Sequence, residues 1–242
     1  MNIISSRWKI VYLSGAISGL LLILVLFLEL IIEVLTGAND ATMPDSALDI
    51  FAMLREGTLI GLYKLNFIKL ICLLLMVPVM MAIYAVHRRV DKAMASVAQV
   101  VFIVGAVTFI SSNTALPMLD LSNKYITTTD PAQRAVIESA GEAILSIGDV
   151  GSSGALVANI LPWIGVFLFS LVIKRGGLMG RYAAVTGMSA SALLILFVIM
   201  LTFFPLASNP ARVISLLSEM LMIVFVTIVT YSLFKIISNI KE

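Results

Sequence analysis

The sequence has few of the charged residues that a water-soluble domain of its length carries. Only 12% of its 242 residues are charged, whereas 60% are hydrophobic, and the mean hydropathy is +1.08. A soluble domain averages about half apolar and about a quarter charged residues. A soluble fold of this composition would have too few polar side chains to cover its surface. The sequence therefore predicts an integral membrane protein surrounded by membrane lipids.

Cysteine, histidine and net charge are scarce as well, and each shortage excludes a kind of site or partner. The one cysteine, Cys72, cannot form an intrachain disulfide, and the one histidine, His87, excludes histidine-rich zinc centres and bis-histidine haem. The net charge of +2 comes without a basic arm, so nucleic acid is not an expected partner. Glycine-rich nucleotide loops, H-E-x-x-H and G-x-S-x-G are all missing. The sequence thus predicts no cofactor, no metal ligand and no catalytic residue.

Six apolar runs are long enough to cross about 30 Å of hydrocarbon, which takes roughly 20 helical residues. They cover approximately residues 10–36, 62–86, 93–116, 154–173, 182–207 and 212–237. The first run is longer than a secretory h-region, and no A-x-A site follows it before Asn39, so we interpret it as a retained span. The predicted fold is all-α. It is a single transmembrane domain over residues 1–242, a bundle of six transmembrane helices with short amphipathic exoplasmic helices.

Basic residues collect on one side of these spans. That side carries Arg7, Lys9, Arg88, Arg89, Lys92, Lys174, Arg175, Arg181, Lys235 and Lys241. The opposite connections carry most of the acidic residues. By the positive-inside rule both termini are cytoplasmic, and the expected location is a prokaryotic plasma membrane. His87 falls among the basic residues, so we expect it at a solvated cytoplasmic edge.

The connections on the predicted exoplasmic side are long enough to contain helices. Asp130 followed by Pro131 is typical of a helix start and predicts a helix over residues 131–147, and a second is predicted over residues 46–55. The first would lay one apolar face, Val136, Ala140, Ile144 and Ile147, on the membrane surface. Both helices are interpreted either as capped connectors or as a lid over a cavity.

Small residues at a spacing of four predict close helix contacts on the first and fifth spans. The pairs are Ser14-Gly15 with Ser18-Gly19, and the series Ala183, Gly187 and Ser191. Without water to drive association, such residues let helix backbones approach closely. The contacts could be made within the chain, in a homo-oligomer or with a partner membrane subunit.

Ionisable residues inside hydrocarbon are costly unless they are paired or hydrated. At a rise of about 1.5 Å per residue, Glu29, Lys69 and Glu219 all lie about 10 Å below the exoplasmic surface. Glu33 shares a helix face with Glu29, and several polar residues fall in the same outer half. The hypothetical ligand-binding centre comprises Glu29, Glu33, Asn66, Lys69, Asn113, Asp149, Asn159 and Glu219.

Three acids opposite one base leave several functions open. In one interpretation the charges serve only to fix the order of the helices, as in a structural or accessory subunit of a larger membrane complex. Alternatively, one carboxyl group stays protonated or a cation enters, and the protein binds or transports a cation, a proton or a small amphipathic ligand. Lys69 argues against a carboxylate site for a hard metal cation. An enzyme acting on lipid is the third choice, and the sequence favours the non-enzymatic binding or transport role.

Five short segments carry a resemblance to a known family. They are SNTALPML (residues 112–119), LSNKY (121–125), AQRA (132–135), AGEA (140–143) and the turn RRVD (88–91). In these segments the chain resembles a prokaryotic family of hypothetical six-span integral membrane proteins, catalogued as a domain of unknown function. The resemblance extends over most of the chain. It implies a six-helix membrane fold and no established activity.

The predicted topology can be tested with single cysteines. In a Cys72-free background, cysteines introduced at Lys124 and at Lys174 should react with a membrane-impermeant reagent from opposite sides of the membrane. Intact cells should label the first, and inverted vesicles the second. Labelling of both positions from the same side would contradict the arrangement of six spans.

Overall fold

The computed structural model describes residues 8–36, 46–148, 152–204 and 208–239. In these ranges the chain forms ten α-helices and no β-strand. The helices are α1 (Lys9–Thr36), α2 (Ala47–Glu56), α3 (Thr58–Lys64), α4 (Phe67–His87), α5 (Lys92–Ser112), α6 (Ala115–Thr127), α7 (Pro131–Gly148), α8 (Ser153–Gly176), α9 (Gly180–Phe203) and α10 (Ser208–Ser238).

Six segments are long and apolar enough to cross a membrane. They are Lys9–Val34, Phe67–His87, Lys92–Thr127, Gly154–Gly176, Gly180–Phe203 and Pro210–Ser238, the third of which includes both α5 and α6. The prediction of an all-α chain with six such segments is confirmed. The second begins at Phe67 rather than at residue 62, because Asn66 adopts a left-handed backbone conformation (φ 60°) that separates α3 from α4.

The six long helices pack in a closed ring. Along the ring α1 contacts α4, α4 contacts α5, α5 contacts α8, α8 contacts α9, α9 contacts α10, and α10 returns to α1. The large side chains of Tyr12, Phe102, Phe169 and Phe225 are fully buried in the core of this ring. The ring therefore gives every long helix one face toward the interior.

Two short connections, at residues 88–91 and 177–179, define what we call the turn end of the bundle. Asp91 caps α5 by accepting a hydrogen bond from the Met94 N–H (3.0 Å), and it pairs with Arg175 at 2.9 Å. The Met94 N–H and the Arg175 guanidinium together hold the pKa of Asp91 below its usual value. The guanidinium of Arg88 lies 3.9 Å from the centre of the Trp8 ring, which places the start of α1 at this end.

His87 also lies at the turn end, but the expectation of a solvated position is wrong. Its side chain is fully buried, and its Nδ1 lies 3.0 Å from the carbonyl oxygen of Ile83. A Cβ atom on Gly176 would come within 2.6 Å of the ring. The imidazole is therefore buried because glycine leaves room for it where α8 passes α4.

The opposite end, the connector end, carries α2, α3, α6 and α7. These helices have a small apolar core of their own, made by Ala47, Ile50, Phe51, Leu54, Leu65, Ala115 and Met118. Asp130 starts α7 as predicted, since its Oδ1 accepts a hydrogen bond from the Ala132 N–H at 3.1 Å. The connectors therefore form a packed layer rather than separate loops.

The apolar face predicted for α7 is displaced by about one residue from the face that packs in the structure, so the prediction is wrong. Val136 and Ile147 are largely exposed, and the face that packs against the layer consists of Ile137, Gly141, Ile144 and Leu145. Gly141 sets this orientation, because its missing side chain brings α7 against Ala47 and Phe51 of α2. Helix α7 therefore packs on other helices of the chain.

The small-residue faces predicted on α1 and α9 are occupied within the chain. Gly15 lies against Ala82 of α4, Gly19 against Thr230 of α10, and Gly187 against Ser170 and Phe225. The closest backbone contacts join α5 and α8, where a Cβ atom on Gly165 would lie 2.6 Å from the Cα of Phe102 and one on Gly105 would come closer still to the nitrogen of Pro162. These contacts explain how bulky apolar helices close a tight ring.

Replacement of Gly165 by alanine should therefore loosen the ring. The new methyl group meets main-chain atoms of α5, so we expect a loss of about 1–3 kcal/mol, as is usual for overpacking. Gly154→Ala on the same helix is the matched control, because nothing lies within 4 Å of that position. Denaturation of both variants in mild detergent measures the difference. Equal stability of the two variants would contradict the described α5–α8 contact.

Candidate functional site

A cavity of about 480 Å³ lies inside the ring, in the half nearer the connector end. Each of the six long helices contributes to its wall, and α7 forms part of its rim. Its polar lining residues are Glu29, Asn66, Lys69, Cys72, Thr114, Glu142, Ser146, Asn159, Ser215 and Glu219. Ligand sites commonly have volumes of about 300–1,000 Å³, so the space suits a small molecule.

Five of the eight residues predicted for a ligand-binding centre line this cavity. They are Glu29, Asn66, Lys69, Asn159 and Glu219. Glu33 is buried near Glu219 and Tyr63, beside the cavity but outside its lining. Asp149 lies outside the described residues.

The remaining predicted residue, Asn113, has a bracing role. Its Nδ2 donates to the carbonyl oxygens of Leu65 (3.5 Å) and Asn66 (3.4 Å), and its Oδ1 accepts from the Ala115 N–H (3.1 Å). The amide thus joins the break between α5 and α6 to the break between α3 and α4. One side chain thus supplies hydrogen bonds to backbone groups at both helix breaks, which lie at one level of the bundle.

The acidic side chains are strongly shielded from solvent. Glu29 is 5% exposed and Glu33 is 6% exposed. The Cys72 thiol donates to the Oε2 of Glu29 at 3.7 Å, whereas the Oε2 of Glu219 is buried without a hydrogen-bond partner among the described residues. A buried carboxylate oxygen without a donor is costly, so the glutamates add strain to this part of the bundle.

Lys69 is the one base among the described residues that line the cavity. At Glu219 and at Cys72 the positive charge of Lys69 partly offsets the negative charges of the neighbouring glutamates. Tyr63 on α3 lies close to the same cluster, and burial together with the nearby Glu33 carboxylate raises the pKa of its phenol. The tyrosine therefore keeps its proton beside an acid-rich centre.

The cavity changes character with depth. Leu22 lies seven residues below Glu29 on α1, about 10 Å deeper along the helix. The deeper wall is apolar and includes Leu22, Met76, Trp163, Leu194 and Met222. A charged upper layer thus lies above an apolar floor, which is a suitable shape for an amphipathic molecule.

Glu142 on α7 is a rim residue that the sequence analysis missed. Its carboxylate accepts a hydrogen bond from the Ala47 N–H at 2.7 Å and so caps the first turn of α2. In the sequence Glu142 follows Glu138 at a spacing of four, which is typical of a solvated helix face. Only the packing of α7 across the bundle brings it to the cavity.

A scan against protein-family models, a search of curated proteins and a search of solved structures each gave no match. The resemblance to a family of six-span membrane proteins therefore stays a prediction.

Lys69 should be important for stability, because it balances carboxylates in a shielded centre. Lys69→Met should cost about 3–5 kcal/mol, the usual effect of removing one partner of a buried ion pair. Adding Glu219→Gln should recover part of this loss, since one unbalanced carboxylate is removed. Unfolding in detergent measures both effects.

Lys124→Met provides the matched control for this experiment. Lys124 pairs with Asp120 on α6, but its side chain is 61% exposed, and such pairs contribute about 0–1 kcal/mol. If Lys69→Met were no more harmful than Lys124→Met, Lys69 would not be the counter-charge of the glutamates.

Proposed function

We propose that this chain is a multi-pass plasma-membrane protein that binds a small amphipathic cation in its central cavity. In this proposal both termini are cytoplasmic, the cavity opens on the exoplasmic side, and the protein is not an enzyme. The distribution of basic residues supports the orientation. The observation that carries the proposed function is the acid-rich layer above an apolar floor in one cavity.

The charge of the upper layer favours a cationic ligand. Glu29, Glu33 and Glu219 contribute three carboxyl groups to a cluster in which Lys69 is the described base. A ligand with a positive group reduces the excess of negative charge, whereas an anion would increase it. Glu29 and Glu219 both line the cavity, which supports contact with a cationic head group at this level.

The deeper wall favours an apolar part attached to that head group. Trp163 lines this deeper part together with Leu22, Leu194, Met76 and Met222. Aromatic faces attract cations, and flexible methionines adapt to irregular apolar groups. The arrangement also matches an amphiphile in the outer leaflet, whose head lies near the surface and whose tail points to the membrane centre.

One sequence argument for a purely accessory subunit no longer applies. The small-residue faces of α1 and α9, which could have docked a partner, contact other helices of the same chain. A structural role for the charges alone would not require a cavity beside them. Binding is therefore the function that the geometry favours.

The proposal can be tested with the tryptophan that lines the cavity. Trp8 and Trp163 are the two tryptophans of the chain, so in a Trp8→Phe background the emission comes from Trp163. In lipid nanodiscs, hexyltrimethylammonium should change this emission saturably, whereas hexyl sulfate and hexanol should not. Glu219→Gln should weaken binding about tenfold or more, equivalent to about 1.4 kcal/mol.

Glu56→Gln is the matched control, because Glu56 is an exposed residue at the end of α2 and outside the cavity. This variant should bind like the parent protein. Equal responses to the cation and to hexyl sulfate would mean that only the apolar floor is used. A complete lack of response would leave the charges with a structural role.

A further inference from the structure

Three cavity-lining residues of α7 are exposed, which distinguishes this helix from the rest of the wall. They are Glu142, Ser146 and Gly148, whereas the other lining residues among the described part of the chain are buried or half-buried. At the deep end of the cavity, Leu22 and Met76 are only 1% and 3% exposed. The described wall is therefore closed at its floor and reaches solvent along α7.

The carboxylate of Glu142 is held in place at this exposed edge. Its Oε1 accepts a hydrogen bond from the Ala47 N–H at 2.7 Å. The neighbouring Gly141 packs α7 so closely on α2 that a Cβ atom there would lie 2.7 Å from the Cβ of Ala47. A carboxylate has about four acceptor positions, of which this hydrogen bond uses one. Glu142 is therefore a fixed negative charge beside the path from solvent into the cavity.

The charged residues of the described lining differ in their access to solvent. Glu142 is exposed, whereas Glu219 and Lys69 are half-buried and Glu29 is 5% exposed. Two bases oppose a cation here, namely Lys69 and Arg212, which lies outside the lining and seven residues before Glu219 on α10. An exposed charge acts through water on a ligand that approaches, and a shielded charge acts on the ligand already inside. The exposed and the shielded carboxylates therefore suit different steps of binding.

We propose that Glu142 is the entry residue of the cavity, whose charge draws a cation to an opening along α7, while Glu29 and Glu219 hold the cation inside. This inference rests on the proposed function, because the ligand is the cation that binds in the same cavity. Glu142 then controls the rate of association, and Glu219 controls the rate of dissociation. Charges at the rim of a binding site and charges buried within it generally divide in this way.

Stopped-flow measurement of the Trp163 emission separates the two rates. It uses the full chain in lipid nanodiscs, in the Trp8→Phe background, with hexyltrimethylammonium as the ligand. At an ionic strength of about 0.1 M, Glu142→Gln should lower the association rate constant about twofold, and the charge reversal Glu142→Lys about fourfold. Both effects should shrink at about 1 M salt, where the screening length falls to about 3 Å. Glu219→Gln should mainly raise the dissociation rate constant.

Two control variants separate the charge of Glu142 from its role as a cap of α2. Glu56→Gln removes an exposed charge nine residues after Ala47 on α2, about 14 Å along the helix and beyond the screening length at about 0.1 M salt. Ser46→Ala removes the other cap of α2, the Oγ that accepts from the Asp49 N–H, and changes no charge. Both variants should associate with the cation like the parent protein. Slow association in Ser46→Ala would assign the effect to the order of α2 and overturn the role of the charge.

The entry role can fail while the proposed function holds. Saturable binding by the parent protein, with an unchanged association rate constant in Glu142→Gln, would overturn the entry role and leave the proposed function intact. An effect of Glu142→Gln on dissociation alone would also overturn it, because the residue would then contact the bound cation. Absence of any response by the parent protein would overturn both proposals.

Discussion

The cost of placing charge in hydrocarbon is the constraint on which this structure depends. Glu29 and Glu219 occupy segments that are otherwise long and apolar, and each is stable only if it faces away from lipid. A closed ring of six helices meets this requirement, because it gives every long helix an interior face. The ring collects the charges around one cavity, where Lys69 balances part of the excess. The polar centre and the architecture are therefore consequences of the same constraint.

Closure of the ring in turn requires close approach of helix backbones. Gly165 against Phe102 and Gly19 against Thr230 show how residues without side chains reduce the distance between neighbouring helices. At the connector end the helices are interrupted instead, and Asn113 satisfies backbone groups at both interruptions. Close packing thus fixes the middle of the bundle, and side-chain hydrogen bonds hold its connector end.

Patterns that depend on one helix alone were predictable from the sequence. The six apolar segments and the cap at Asp130 follow from run length and local hydrogen bonding, and Glu29, Lys69 and Glu219, predicted at one depth from helical rise, line one cavity. Features set by neighbouring helices were not predictable. Burial of His87 depends on the missing side chain of Gly176, and the orientation of α7 depends on Gly141. The role of Glu142 at the rim likewise requires the contact of α7 with α2, which lies 95 residues away in the chain.

The Glu142–Ala47 hydrogen bond links the entrance of the cavity to the integrity of another helix. The same carboxylate lines the rim and caps the first turn of α2. If α7 moved away from the cavity, the Ala47 N–H would lose its acceptor, and the N-terminus of α2 would keep only its cap at Ser46 and the acidic Asp49 of its own first turn. Displacement of α7 from the cavity thus weakens the start of α2 by one hydrogen bond to a carboxylate. Access to the interior is coupled to helical order in a segment that does not itself line the cavity.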